Sequence, residues 1–96
     1  MIYLVREEQE RIFNGILESL YSYCPKSNIR SGKPLSDEKR KMAIRRAQAV
    51  INSAYSFCEN EIFGEDLRQK MGKVVDEVSS FLSTEMIIER MQVQVS

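Results

Sequence analysis

The side chains best suited to binding chemistry in this sequence are basic ones that lie close together. Residues 26–46 contain eight Lys and Arg residues and two acidic ones, which leaves a net charge of +6 in a 96-residue chain that is neutral as a whole. Grouped guanidinium and ammonium groups bind phosphates and carboxylates and attract anionic partners. The residues that we assign to partner or anion binding are Arg30, Lys33, Lys39, Arg40, Lys41, Arg45 and Arg46.

Part of this basic stretch is predicted to open a helix with an unusual charge distribution. Ser36 is a good N-cap, and Asp37 and Glu38 follow it, but residues 39–41 are all basic. Cations are disfavoured near a helix N-terminus, whereas its free N–H groups attract anions. Basic side chains at this helix N-terminus therefore predict a binding site for phosphate or carboxylate groups. The alternative is that the two acids offset the cations and the lysines only keep the helix solvated.

The same helix carries a stripe of residue types that can read DNA bases. At steps of three and four residues it presents Lys41, Arg45, Gln48 and Asn52. Such side chains hydrogen-bond guanine and adenine edges in a major groove. The stripe also lies opposite the apolar face, where any solvated helix is polar, and no helix-turn-helix pattern precedes it. Nucleic-acid binding is therefore the alternative function rather than the leading one.

Catalytic and metal-binding signatures are not found in the sequence. The chain has no His, which removes Ser-His and Cys-His catalysis as well as imidazole ligands. It has neither of the glycine-rich motifs that bind nucleotide phosphates. Cys24 and Cys58 cannot complete a zinc site and are expected to be small buried hydrophobic residues. We expect no enzymatic activity, no cofactor and no metal.

The C-terminal segment has more apolar residues than one buried helix face needs. Ile87, Ile88 and Met91 fall on one side of a helix, and Met86 and Val93 fall on another. A terminal helix with two apolar sides commonly covers its own bundle and a partner as well. We assign Ile87, Ile88 and Met91 to self-association, which predicts a homo-oligomer, most simply a homodimer. The alternative is a helix that is buried on all sides.

The elements that must position these residues are helices. Apolar residues recur at three- and four-residue steps, which predicts an all-α fold, a small antiparallel bundle of three long helices plus a short C-terminal helix. The long helices are predicted over about 5–23, 37–60 and 65–82, and the short one over about 85–91, all in a single domain over 1–96.

Three connecting features complete this prediction. Residues 25–35, rich in Pro, Ser and Gly, are predicted to form a loop. Ser83 or Thr84 is predicted to cap the short helix. Residues 2–5 and 91–95, the latter alternating with period two, leave a small terminal β-pair as an alternative.

Antiparallel packing of the first two long helices predicts opposite poles of charge. The basic stretch then lies at one end, and the acidic residues of 7–10 and 59–66 lie at the other. The same packing places Cys24 and Cys58 roughly 30 Å apart along the second long helix. A disulfide needs Cα atoms within about 7 Å, so no intrachain bridge is expected.

These features together predict a small non-enzymatic interaction protein, such as a regulator, an inhibitor or an adaptor. It is expected to dock through its charged poles to another protein, whose surface is acidic where the basic pole binds, and to self-associate through its C-terminal helix. No apolar run approaches the length of a membrane span, and no signal-peptide pattern is present. We therefore expect a cytoplasmic protein without a membrane partner.

Overall fold

Four helices make up the part of the chain that the structure describes. The computed structural model describes the backbone of residues 4–95 and the side chains of residues 4–94. In chain order the helices are α1 (Arg6–Tyr23), α2 (Lys26–Ser31), α3 (Asp37–Glu59) and α4 (Glu65–Val95). No strand occurs within 4–95, and the predicted all-α bundle is confirmed. The molecule is elongated, with extents of 55 × 21 × 17 Å.

The first and third helices form where the sequence predicts them. The carboxylates of Glu7 and Glu8 lie in the first turn of α1, where they favour the positive end of the helix dipole. Ser36 caps α3, because its hydroxyl oxygen accepts a hydrogen bond from the backbone N–H of Lys39 at 3.4 Å.

The C-terminal part of the chain differs from the prediction. α4 is one helix of 31 residues, so the predicted end at Leu82 and the cap at Ser83 or Thr84 were wrong. Inside this helix the Thr84 hydroxyl donates to the Ser80 carbonyl oxygen at 3.2 Å, one turn back, so it does not cap a new helix. The terminal β-pair is not formed by the described residues, since 91–95 are helical. Ile2 and Tyr3, which belong to the same alternative, lie outside the described residues.

The short helix of the bundle is α2, which lies within the stretch predicted to be a loop. Pro25 precedes it, and its backbone carbonyl accepts from the N–H groups of Asn28 and Ile29 at 3.1 Å each. The helix ends at Gly32, whose φ of 74° is a left-handed conformation that glycine adopts at little cost. The connection between α1 and α3 is therefore ordered into a turn of helix that packs on α4.

α3 packs antiparallel to both α1 and α4. The rings of Phe13 in α1 and Phe57 in α3 lie 5.9 Å apart, and Tyr23 borders the same cleft as Lys39. The continuous core is formed by Leu20, Cys24, Leu35, Ala43, Ala47, Ile51, Ala54, Phe57, Phe63, Leu67, Met71, Val75, Val78 and Leu82. Three members of this core, Ala43, Ala47 and Ala54, are fully buried alanines of α3, and their small side chains leave room for the neighbouring helices.

One end of the bundle is closed by contacts between α1 and the start of α4. The buried amide of Gln9 donates to the Leu4 carbonyl oxygen and accepts from the Gly64 backbone N–H, both at 2.8 Å. Arg6 donates two hydrogen bonds to the Asp66 carboxylate, at 3.0 and 2.6 Å. None of the described helices combines the length and the apolar character that crossing a membrane requires.

Candidate functional site

The basic residues of 26–46 do not form one exposed patch, because Arg40 is buried. The side chain of Arg40 is 3% exposed, and the other basic residues of the stretch are exposed. Arg40 was expected to lie on a partner-binding surface, and its burial corrects that placement. The exposed members of the predicted site are Arg30, Lys33, Lys39, Lys41, Arg45 and Arg46, and their binding role stays a prediction.

Arg40 is the centre of a buried hydrogen-bond network between α3 and α4. Its Nε lies 2.9 Å from an oxygen of Glu85, a side chain that is 1% exposed. The other Glu85 oxygen accepts from the backbone N–H of Leu35, and Arg40 Nη2 donates to the Leu35 carbonyl oxygen at 2.8 Å. Arg40 Nη1 donates to Asp37 at 2.8 Å and to Gln92 at 3.0 Å. Hydrogen bonding to Glu85, followed by that to Asp37, raises the pKa of Arg40 above its ordinary value.

Negative charge exceeds positive charge in this network. Glu89 Oε2 lies 3.9 Å from Arg40 Nη1, and this oxygen is buried without a hydrogen-bond partner. The single guanidinium therefore faces the carboxylates of Asp37, Glu85 and Glu89. Both charges of the buried pair lose their hydration, so the pair adds little net stability, although removing one partner alone is costly.

The network was not found by the sequence analysis, although one signal for it existed. Met71, Val75, Val78 and Leu82 are core residues at steps of four, three and four. The next step of three reaches Glu85, so an acidic residue continues the buried stripe of α4. An acid in phase with a core stripe predicts a buried partner of opposite charge, but the sequence does not say which basic residue supplies it.

The exposed basic residues of α3 lie on two different flanks. Lys39 and Met42 border a cleft with Tyr23 on the α1 side of α3, and Arg46 lies two turns further along that flank. Lys41 and Arg45 project from the other flank, since consecutive α-helical positions rotate by about 100°. The two groups meet at Arg45 and Arg46, which point about 100° apart, so a partner that contacts both has to curve around the exposed face of α3.

The stripe proposed for base reading is exposed but partly engaged with itself. Gln48 Nε2 donates to Asn52 Oδ1 at 3.2 Å on the surface of α3. Lys41 and Arg45 extend the stripe toward the start of the helix. An amide that bonds a neighbouring amide has to exchange that bond before it can read a base edge, which weakens the case for base-specific recognition.

The last turns of α4 expose apolar side chains, as the sequence predicts. Ile87 and Met91 are 56% and 60% exposed, and on another flank Met86 and Val93 are 40% and 66% exposed. Ile88 is half-buried and differs from its two neighbours in the predicted self-association set. An exposed apolar surface of this kind at the end of a helix is typical of a contact surface.

A groove missed by the sequence analysis runs between α2 and α4 beside these residues. It has a volume of about 540 Å³ and an apolar lining that includes Ile29, Pro34, Phe81 and Ile88. Asp76 and Glu77 lie at its end nearer the start of α4. The groove exists because α2 is a helix, which could not be foreseen from a stretch rich in turn-forming residues.

The cysteines lie at different ends of the bundle and are not joined. Cys24 is buried at the end of α1, where desolvation and the negative charge of Glu85 raise its pKa to about 11. Cys58 is half-buried and its thiol donates to the Arg68 carbonyl oxygen at 3.5 Å. Burial also raises the pKa of Cys58. Among the described residues, no group of three or more Cys, Asp or Glu side chains is placed to hold a metal ion.

Comparison with protein-family models, with curated proteins and with solved structures finds no match to this chain. Its function therefore has to be inferred from the surfaces of the bundle itself.

Proposed function

We propose that this chain is a non-enzymatic interaction protein, in the role of a regulator, inhibitor or adaptor, that binds an acidic partner protein and self-associates. The observation that carries the proposal is that one end of the bundle exposes two kinds of contact surface. The first turns of α3 present Lys39, Lys41, Arg45 and Arg46, and the last turns of α4 present Ile87 and Met91. Arg40 contacts both Glu85 and Gln92, so these turns lie at the same level of the bundle.

Self-association is supported by the exposure of the last turns of α4. Ile87 and Met91 are large apolar side chains that face solvent in the single chain. Covering such side chains contributes about 25 cal/mol for each Å² of apolar surface removed from water. Soluble homo-oligomers are most often closed dimers, so a two-fold dimer is the expected state. A cytoplasmic location stays part of this proposal.

Capture experiments on charge-reversed variants test the partner-binding part of the proposal. The variant K41E/R45E/R46E changes three exposed residues and leaves the buried Arg40 in place. Its control, R11E/K70E/K73E, makes the same change in net charge with exposed residues elsewhere. We expect the wild type and the control to retain the same copurifying protein after nuclease treatment. We expect the first variant to bind it at least tenfold more weakly, a loss of about 1.4 kcal/mol. Equal binding by all three chains would contradict the basic docking surface.

Nucleic-acid binding is the second candidate, because all but one of the basic residues in 26–46 are exposed. The dependence of the affinity on salt concentration distinguishes nucleic-acid binding from protein binding. Affinity for duplex DNA falls with a log–log slope of about −0.9 for each phosphate neutralised, whereas apolar protein contacts depend much less on salt. A partner that is lost on nuclease treatment and shows a steep salt slope would replace the leading proposal by this one.

A further inference from the structure

The outward side of α4 has two different halves. Ser80, Thr84, Ile87 and Met91 recur at steps of four, three and four on the side of α4 away from its core stripe. Ser80 and Thr84 are small and exposed, whereas Ile87 and Met91 are large, apolar and exposed. The small half lies next to the groove between α2 and α4, which Ile29, Pro34 and Phe81 help to line. The small half of one copy therefore leaves room for the large apolar side chains of another copy.

Charged residues beside this surface are also placed so that those of one copy complement those of another copy. Asp76, Ser83 and Arg90 are exposed and are spaced by seven residues, so they lie on one flank of α4, about two turns apart. Asp76 and Arg90 are equally far from Ser83 in opposite directions. A two-fold axis beside Ser83 would place Arg90 of each copy next to Asp76 of the other copy.

We propose that two copies of this chain pair through antiparallel α4 helices, with the two-fold axis beside Ser83. This inference rests on the self-association proposed above and adds its geometry. Ile87 of each copy then lies over Ser80 of the other, at the edge of the groove, where a small side chain leaves room. The surface is the same on both copies, as a two-fold interface requires. Two ion pairs between Asp76 and Arg90 fix the register and exclude a parallel arrangement, in which like charges would face each other.

A charge exchange at these two positions tests the arrangement in the 96-residue chain. D76R and R90D each place like charges together twice in the dimer, and we expect each to weaken dimerisation at least tenfold in sedimentation equilibrium. The double variant D76R/R90D restores opposite charges, and we expect it to recover dimerisation to within about threefold of the wild type. E18R is the control, since Glu18 is an exposed acid on α1, and it should dimerise as the wild type does.

The outcomes separate this inference from the proposed function. A wild-type dimer that the single variants do not weaken would overturn the antiparallel register and leave self-association standing. A dimer that the double variant fails to restore would overturn the register in the same way. A wild-type chain that stays monomeric throughout would overturn both. Circular dichroism of each variant confirms that the exposed substitutions leave the helices intact.

Discussion

Arg40 and Glu85 are separated by 45 positions in the chain and form an ion pair in which both side chains are almost completely buried, at 3% and 1% exposure. The pair joins the first turns of α3 to the second half of α4. It also holds Leu35, whose backbone N–H and carbonyl oxygen are bonded by Glu85 and Arg40 respectively. The relative position of the basic turns and the exposed apolar turns therefore depends on this pair.

Replacing Arg40 by Met should destabilise the protein strongly. The substitution leaves the Glu85 carboxylate buried without its cation, and removing one partner of a buried pair costs about 3–5 kcal/mol. Urea unfolding followed by circular dichroism measures the change. R46M is the matched control on the same helix, because Arg46 is exposed, and it should change the free energy of unfolding by less than about 0.5 kcal/mol.

The double variant R40M/E85M separates the cost of leaving Glu85 without its cation from the net contribution of the ion pair to stability. Replacing a buried ion pair by apolar residues of similar size is often neutral, so the double variant should be more stable than R40M alone. If R40M unfolds at the same urea concentration as the wild type, Arg40 is not held in the buried network with Glu85.

The helices of this fold follow from the sequence more readily than their ends do. α1 and α3 follow from apolar periodicity and from the Ser36 cap, which depend only on neighbouring residues. The continuation of α4 through Ser83 and Thr84 could not be predicted from local preference, since a hydroxyl suits both a cap and a bond to the preceding turn. Tertiary packing decides between them, because the buried stripe continues across these residues to Glu85.

The candidate site likewise has features that the sequence predicts and features that it does not. The exposure of Ile87 and Met91 is predicted, because the C-terminal segment has more apolar residues than one buried helix face needs. The burial of Arg40 could not be predicted from the sequence, because arginine is mostly exposed in proteins and is buried only where distant residues supply its partners. The α2–α4 groove depends on a six-residue helix that local sequence alone does not specify.

Acid should weaken the end of the bundle where α1 meets α4. Hydrogen bonds from Arg6 hold the pKa of Asp66 at about 2, below its ordinary value of 3.8. A carboxyl whose pKa is lower in the folded chain stabilises the fold above its ordinary pKa, and this contribution is lost as the pH falls through the folded value. D66N should therefore be less stable than the wild type at neutral pH, with a difference that shrinks between pH 3.8 and about 2. A difference that stays constant over this range in urea unfolding would contradict the assignment to Asp66.

The two thiols should react slowly in the folded protein and should not join each other. Burial disfavours the thiolate that reacts with alkylating reagents, and the pKa of Cys24 is raised to about 11. Mass spectrometry after brief alkylation at neutral pH should find Cys24 unmodified in the native chain and modified in urea. Reducing and non-reducing gels should give the same mobility. A Cys24–Cys58 bridge would contradict the antiparallel packing of α1 and α3.

Removing residues 84–96 is a poor way to test self-association. α4 continues through this segment, and the truncation would remove Glu85 and leave Arg40 buried without its main partner. A loss of dimer could then follow from unfolding. Substitution of single exposed residues avoids this ambiguity.

Sedimentation equilibrium shows whether the end of α4 is a contact surface between two copies. I87E replaces an exposed apolar residue of α4, and I12E is its control, since Ile12 is also an exposed isoleucine, 41% exposed, but lies on α1. A contact surface at the end of α4 predicts a dimer for the wild type and for I12E, and a monomer with unchanged helix content for I87E. A wild-type chain that remains monomeric up to about 1 mM, or an I87E chain that dimerises as the wild type does, would contradict it.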